Sequence, residues 1–125
     1  MAATTVLETA FRSTLADAID TAVGATGHIK FETSGDAEVA DIVLGNPAFG
    51  SASSGVITLE ASTEDSNCTA GTIEHASLYA NTTKLAEFNC TATGGGGTFT
   101  MSSLALETGD TLSIASFTIT VPSGA

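Results

Sequence analysis

The chain has 125 residues, enough for one ordinary domain and too few for two. It is 42% hydrophobic and only 14% charged, which excludes an intrinsically disordered chain. Fourteen acidic side chains against three Lys and Arg give a net charge of −11. That balance repels phosphate backbones and anionic lipid faces, so neither nucleic acid nor a membrane is an expected partner.

The N-terminus shows no basic cluster followed by an apolar core, so no secretory signal is expected. The stretch 2–25 is interrupted by Glu8, Arg12, Asp17 and Asp20, well short of the roughly 20 apolar residues that span a bilayer. The expectation is a chain that folds in a cytoplasm with Cys68 and Cys90 reduced; two cysteines are too few for a disulfide framework.

The first element reads as an amphipathic helix over residues 4–24. Leu7, Phe11, Leu15, Ala18, Ile19, Ala22 and Val23 recur at spacings of three and four. Thr5 and Glu8 have the form of a capping box, and Gly24 supplies a stop. The apolar stripe must be covered, either by the rest of the chain or by a neighbouring subunit, and packing within the chain is the simpler reading.

Beyond Gly27 the period changes to two. His28–Thr33 alternates, Ser34-Gly35-Asp36 turns, and Glu38–Gly45 alternates again until Asn46-Pro47-Ala48-Phe49-Gly50 stops it. Val56–Ala61 follows as a strand after a small-residue loop, and Ser62–Asn67 is a connection. Thr72–Ala80 and Lys84–Thr91 pair around Asn81-Thr82-Thr83. Gly94–Gly97 reads as a loop tip that does not order cheaply. Thr98–Leu106 and Thr111–Val121 form a hairpin across Thr108-Gly109-Asp110, with a bulge at Ala115-Ser116, and Pro122 closes the set. The predicted fold is mainly β: an antiparallel sandwich or jelly-roll-like domain of roughly seven to eight strands over 28–122, preceded by the helix, all within a single domain over 1–125.

Chemistry-bearing motifs are sparse. His28 and His75 stand far apart in sequence, and neither has a metal-type spacing to Cys68 or Cys90, so no metal or cofactor is expected. No serine lies in a Gly-x-Ser-x-Gly elbow, and no catalytic residues are assigned. The glycine run lacks the Lys-Ser/Thr ending of a phosphate loop. Asp36, Glu38, Asp41, Glu64 and Asp65 offer oxygen ligands to calcium, but match no EF-hand spacing and read as a solvated face. Three Asn-x-Thr triplets, at Asn67, Asn81 and Asn89, read as turn asparagines beside β-favouring threonines.

Four segments together resemble a family of small virion structural proteins of tailed bacteriophages: the helix Thr14–Asp20, the run Ile42–Gly50 with Gly55–Thr58, the lead Ala70-Gly71-Thr72, and the ending Gly109–Pro122. The similarity runs in order along nearly the whole chain, while Gly94–Gly97 and the two cysteines depart from the commoner pattern. The resemblance implies a β-rich, non-enzymatic module on the particle, of the kind that decorates and cements a capsid. Its expected partner is the major capsid protein, its expected place the outer capsid surface after synthesis in the host cytoplasm, and its expected assembly a homotrimer. Leu7, Phe11, Leu15, Asn46, Pro47 and Phe49 are the candidate capsid or subunit contacts, with Phe49 filling its own core as the competing reading. A tail or neck protein and a surface adhesion or carbohydrate-binding module are the alternatives; the absent Trp and single Tyr79 weigh against the last.

Overall fold

The computed structural model describes residues 6–123. Along them run α1 (Thr9–Val23), a 3-10 turn (Gly24–Thr26), β1 (Gly27–Glu32), β2 (Glu38–Val43), β3 (Val56–Thr58), β4 (Gly71–Thr72), β5 (His75–Ala80), β6 (Thr83–Ala92), β7 (Phe99–Met101), β8 (Ala105–Leu106) and β9 (Thr118–Thr120). The helical periodicity makes a shorter helix than the 4–24 span expected. Glu8 is its N-cap and makes no side-chain capping bond; Thr5, the other half of the expected capping box, lies outside the described residues, as does Thr4. Gly24 ends the helix at φ +62°, where a side chain would be strained, and its N–H donates to the Asp20 carbonyl.

Two hairpins build the main sheet. β1 pairs antiparallel with β2, setting Ile29 opposite Ile42 and Phe31 opposite Ala40. β5 lies along the other side of β1, with Ile29 opposite Leu78 and Glu32 opposite His75. β5 and β6 pair around Asn81, which adopts φ +55°. β7 then adds to β6 in parallel, Cys90 opposite Phe99, completing a mixed sheet of order β2-β1-β5-β6-β7.

Parallel neighbours ordinarily need a crossover of about a dozen residues or more. Residues 93–98 manage it because the glycine run folds tightly over Thr91. The Gly97 N–H donates to Thr91 Oγ1 at 3.0 Å. A Cβ on Gly95 or on Gly97 would fall 2.8 Å from that oxygen. The segment is an exposed loop, as expected, with Gly95 and Gly97 held close against Thr91.

The expected hairpin of 98–106 with 111–121 does not form. Its turn exists, with the Asp110 N–H donating to the Glu107 carbonyl at 3.0 Å and Gly109 at φ +90°. The main chain of Cys68 takes the place of the partner strand, exchanging bonds with Asp110 and Gly109, while Leu112 bridges to Asp65. β8 pairs with β4 and β9 with β3, as two separate two-stranded ladders. The chain is thus mainly β with one N-terminal helix, and its largest sheet is mixed.

Phenylalanines join the ladders to the sheet. Phe117, just before β9, stacks on Phe99 of β7 at 4.7 Å between ring centroids and meets Phe88 of β6 edge-on at 5.1 Å. Phe31 reaches Phe99 at 5.2 Å, and Phe49 reaches Phe117 at 6.1 Å. Such aromatic pairs each contribute about 0.5–1.5 kcal/mol beyond the area they bury. Ile29, Ile42, Ile57, Ile73 and Leu78 complete the buried core. At one margin the Leu7 N–H donates to the Ser123 carbonyl at 2.7 Å, so the two ends of the described chain lie side by side. Among the described residues no helix is long and apolar enough to cross a membrane.

Candidate functional site

The helix is fastened to the body through its polar residues. Asp20 Oδ1 accepts the Phe49 N–H at 3.1 Å, Asp17 Oδ1 accepts the Ala52 N–H at 2.8 Å, and Ser13 Oγ accepts the Gly55 N–H at 3.1 Å. Residues 13, 17 and 20 share one helix face, so the three bonds clamp the 46–55 loop along it. This clamp turns the helix away from the orientation its apolar stripe alone suggests. Ala16 and Val23 are buried and Leu15 and Ile19 half-buried, while Phe11, Ala18 and Ala22 are exposed.

The uncovered part of the stripe forms one wall of an apolar groove of about 390 Å³, lined by Leu15 and Ile19 on the helix and by Leu85, Phe88 and Ile119 on the sheet side. Leu85 is itself 39% exposed. The candidate contact residues separate accordingly. Phe11 is 53% exposed, Leu15 lines the groove, and Leu7 is half-buried beside the end of the described chain. Asn46 and Pro47 are exposed, and Pro47 borders a polar hollow shared with Asp17, Asp20 and Glu60. Phe49 is 1% exposed and opposes Leu59 in an isolated bridge, so its ring fills the chain's own core and offers no outward contact.

A second constellation lies at the far end of β1. His75 on β5 is 4% exposed, and the buried Glu32 stands opposite it in register. Its Nε2 lies 3.2 Å from Glu32 Oε1 and 3.0 Å from Asp36 Oδ1. Asp36 is brought there by the 33–37 turn, in which it adopts φ +64°. Nδ1 lies 3.0 Å from Glu74 Oε1; a carboxylate only accepts, so Nδ1 carries the proton and donates. Glu32 Oε1 also accepts the Ser77 hydroxyl at 2.6 Å. Burial opposes protonation of His75, but the Glu74 hydrogen bond and the charges of Glu87, Glu32 and Glu74 outweigh it and hold the imidazole pKa above its ordinary value.

His28 differs. Its Nδ1 meets Asp41 Oδ1 at 2.7 Å and its Nε2 the Asn81 carbonyl at 2.6 Å, so both nitrogens face acceptors. Asp65, one of the scattered acids, accepts the backbone N–H groups of Asp41 and Asn67 and serves the fold. Both cysteines are free and buried.

Sequence spacing passed over Glu32 and His75 because they meet only through strand pairing. The one available signal was their place in two strands able to lie side by side. No family model, curated protein or solved structure matches this chain.

Proposed function

We propose that this chain is a non-enzymatic structural protein of a tailed-phage particle, decorating the outer capsid surface and stabilising the shell by binding across junctions of the major capsid protein. The observation that carries the reading is the exposed Phe11, one helical turn from Leu15 of the apolar groove that Leu85 and Phe88 also line, on an otherwise strongly acidic chain. Large apolar side chains left in contact with water next to one another are a common mark of a protein-binding face. The ordered likeness of four segments to phage virion proteins names the kind of lattice that would cover it.

In this reading the main sheet and the ladders act as the layers of a sandwich- or jelly-roll-like body, and the helix side faces the shell. The chain is made in the host cytoplasm and added to the assembled head, where binding to the expanded lattice alone stabilises that state by mass action. Three copies around a threefold position would set three such faces on the capsid subunits.

The test is co-sedimentation of the purified protein with heads that lack it, together with copy number by gel densitometry. Saturable binding at hundreds of copies per head is expected, and Phe11→Ser is expected to weaken it with melting unchanged. Binding per folded molecule that is indifferent to Phe11→Ser removes the helix face from the contact. Absence of the protein from mature particles ends the reading.

A further inference from the structure

We infer that His75, Glu32 and Asp36 form a binding site for a divalent transition-metal ion, with His75 Nε2 and one carboxylate oxygen from each acid as its protein ligands. The site is independent of the docking face, which lies on the helix side. Its geometry is the first argument. Zinc binds imidazole nitrogen and carboxylate oxygen at about 2.0–2.2 Å, which sets two ligands of one ion roughly 3.0–3.5 Å apart. The two carboxylate oxygens stand 3.0 and 3.2 Å from Nε2, and the three ligand atoms all lie within 4.8 Å of one another.

The orphaned nitrogen is the second argument. Nε2 is inaccessible to solvent and, among the described residues, has no hydrogen-bond partner. Both oxygens are close enough to accept, so each must lie off the direction a hydrogen on Nε2 would take. A metal needs that displacement: with equal bonds of the length above, a second ligand sits about 40° off the nitrogen–metal axis. The Nδ1–H to Glu74 bond leaves the Nε2 lone pair free for an ion held between it and the carboxylates, in the carboxylate–histidine–metal arrangement typical of protein sites. The Ser77 hydroxyl anchors Glu32 from behind.

Charge and donor type narrow the ion. Glu32, Asp36, Glu74 and Glu87 surround the imidazole, and the nearby ammonium of Lys84 is bound to Glu87. A divalent cation offsets that excess. One imidazole nitrogen with two carboxylate oxygens suits zinc, manganese, cobalt or nickel, whereas calcium seeks about six to eight oxygens at longer range. The Asp36 side chain is 71% exposed, so water has access to the remaining coordination positions. The ion would tie the 33–37 turn to the buried start of β5.

The test uses the full chain stripped with EDTA and titrated with zinc chloride in a calorimeter. A single saturable equivalent and a higher melting temperature with zinc are expected. Asp36→Asn keeps the backbone tolerance for positive φ and should lower zinc affinity at least ~10-fold while leaving metal-free melting unchanged. His28→Gln should bind as the wild type does. Nitrogen-15 NMR should show zinc shifting His75 Nε2 while Nδ1 keeps its proton. No saturable binding at millimolar zinc, equal affinity in Asp36→Asn, or a response confined to His28 each overturns the site.

Discussion

Phe49 and Phe11 carry the same side chain into opposite surroundings, one 1% and the other 53% exposed. Phe49→Ser removes a buried ring and leaves a hydroxyl among Leu59 and Phe117, so a loss of about 3–5 kcal/mol is expected, read from the urea midpoint. Phe11→Ser should move that midpoint by no more than ~0.5 kcal/mol, the usual range for exposed positions. The thiols give a second residue-scale expectation. Burial, reinforced by Glu74, pushes Cys90 from 9.0 up to about 11, and burial with Asp65 and Asp110 raises Cys68. Both should react slowly with a thiol reagent at neutral pH until the chain is unfolded. The neutral form is the one the fold favours. Between pH 9 and 11 the unfolded chain therefore loses the Cys90 proton while the folded chain keeps it. This contribution is whole below that window and lost as pH rises through it, so denaturant midpoints should fall across it and fall less in Cys90→Ala.

At the scale of elements the crossing after β6 depends on small residues. Gly97→Ala would drive a methyl group to 2.8 Å from Thr91 Oγ1 and 3.0 Å from the Thr91 backbone nitrogen. The expected cost is about 1–3 kcal/mol. Gly35→Ala meets nothing nearer than 3.9 Å and has no such conflict, so it should be neutral or stabilise by about 0.4–1 kcal/mol. Chemical denaturation of the two variants checks the contrast. The same crossing marks the limit of what patterning conveys. β1 with β2, and β5 with β6, were legible because alternation and a turn signal sit together in one short stretch. β7 turns parallel to β6 through the glycine crossing, where alternation suggests a hairpin with the residues that follow, and β8 and β9 pair with segments far away in the chain that no local pattern encodes. The helix was legible as an element, yet its facing was not: Ser13, Asp17 and Asp20 bind loop N–H groups, and those bonds set its rotation.

Across the whole molecule both lysines and the one arginine are engaged. Lys30 lies 3.2 Å from Glu38, Lys84 pairs with Glu87, and the Arg12 guanidinium donates to Thr9 and to the Ser54 carbonyl. With three Lys and Arg against fourteen acids, most carboxylates have no cationic neighbour. Their mutual repulsion acts on the compact state and is screened by salt. Melting temperature should therefore rise between low ionic strength and about 0.5 M sodium chloride, where the Debye length shrinks below 5 Å. A fall would mean that the few ion pairs outweigh the repulsion. The same acidity made the His75 cluster hard to see in advance. Many acids scattered along a chain look alike until strand register sets Glu32 across from His75 and a turn returns Asp36 to them.

The bond between Leu7 and Ser123 has a topological consequence. The two ends of the described residues meet, so the order can be recut: a short linker joining residues 7 and 123, with new ends opened in the exposed Ser34–Gly35 turn, preserves every strand pairing. Such a rearranged molecule should still melt cooperatively. Anything fused to its relocated ends would emerge beside the His75 corner, away from the helix.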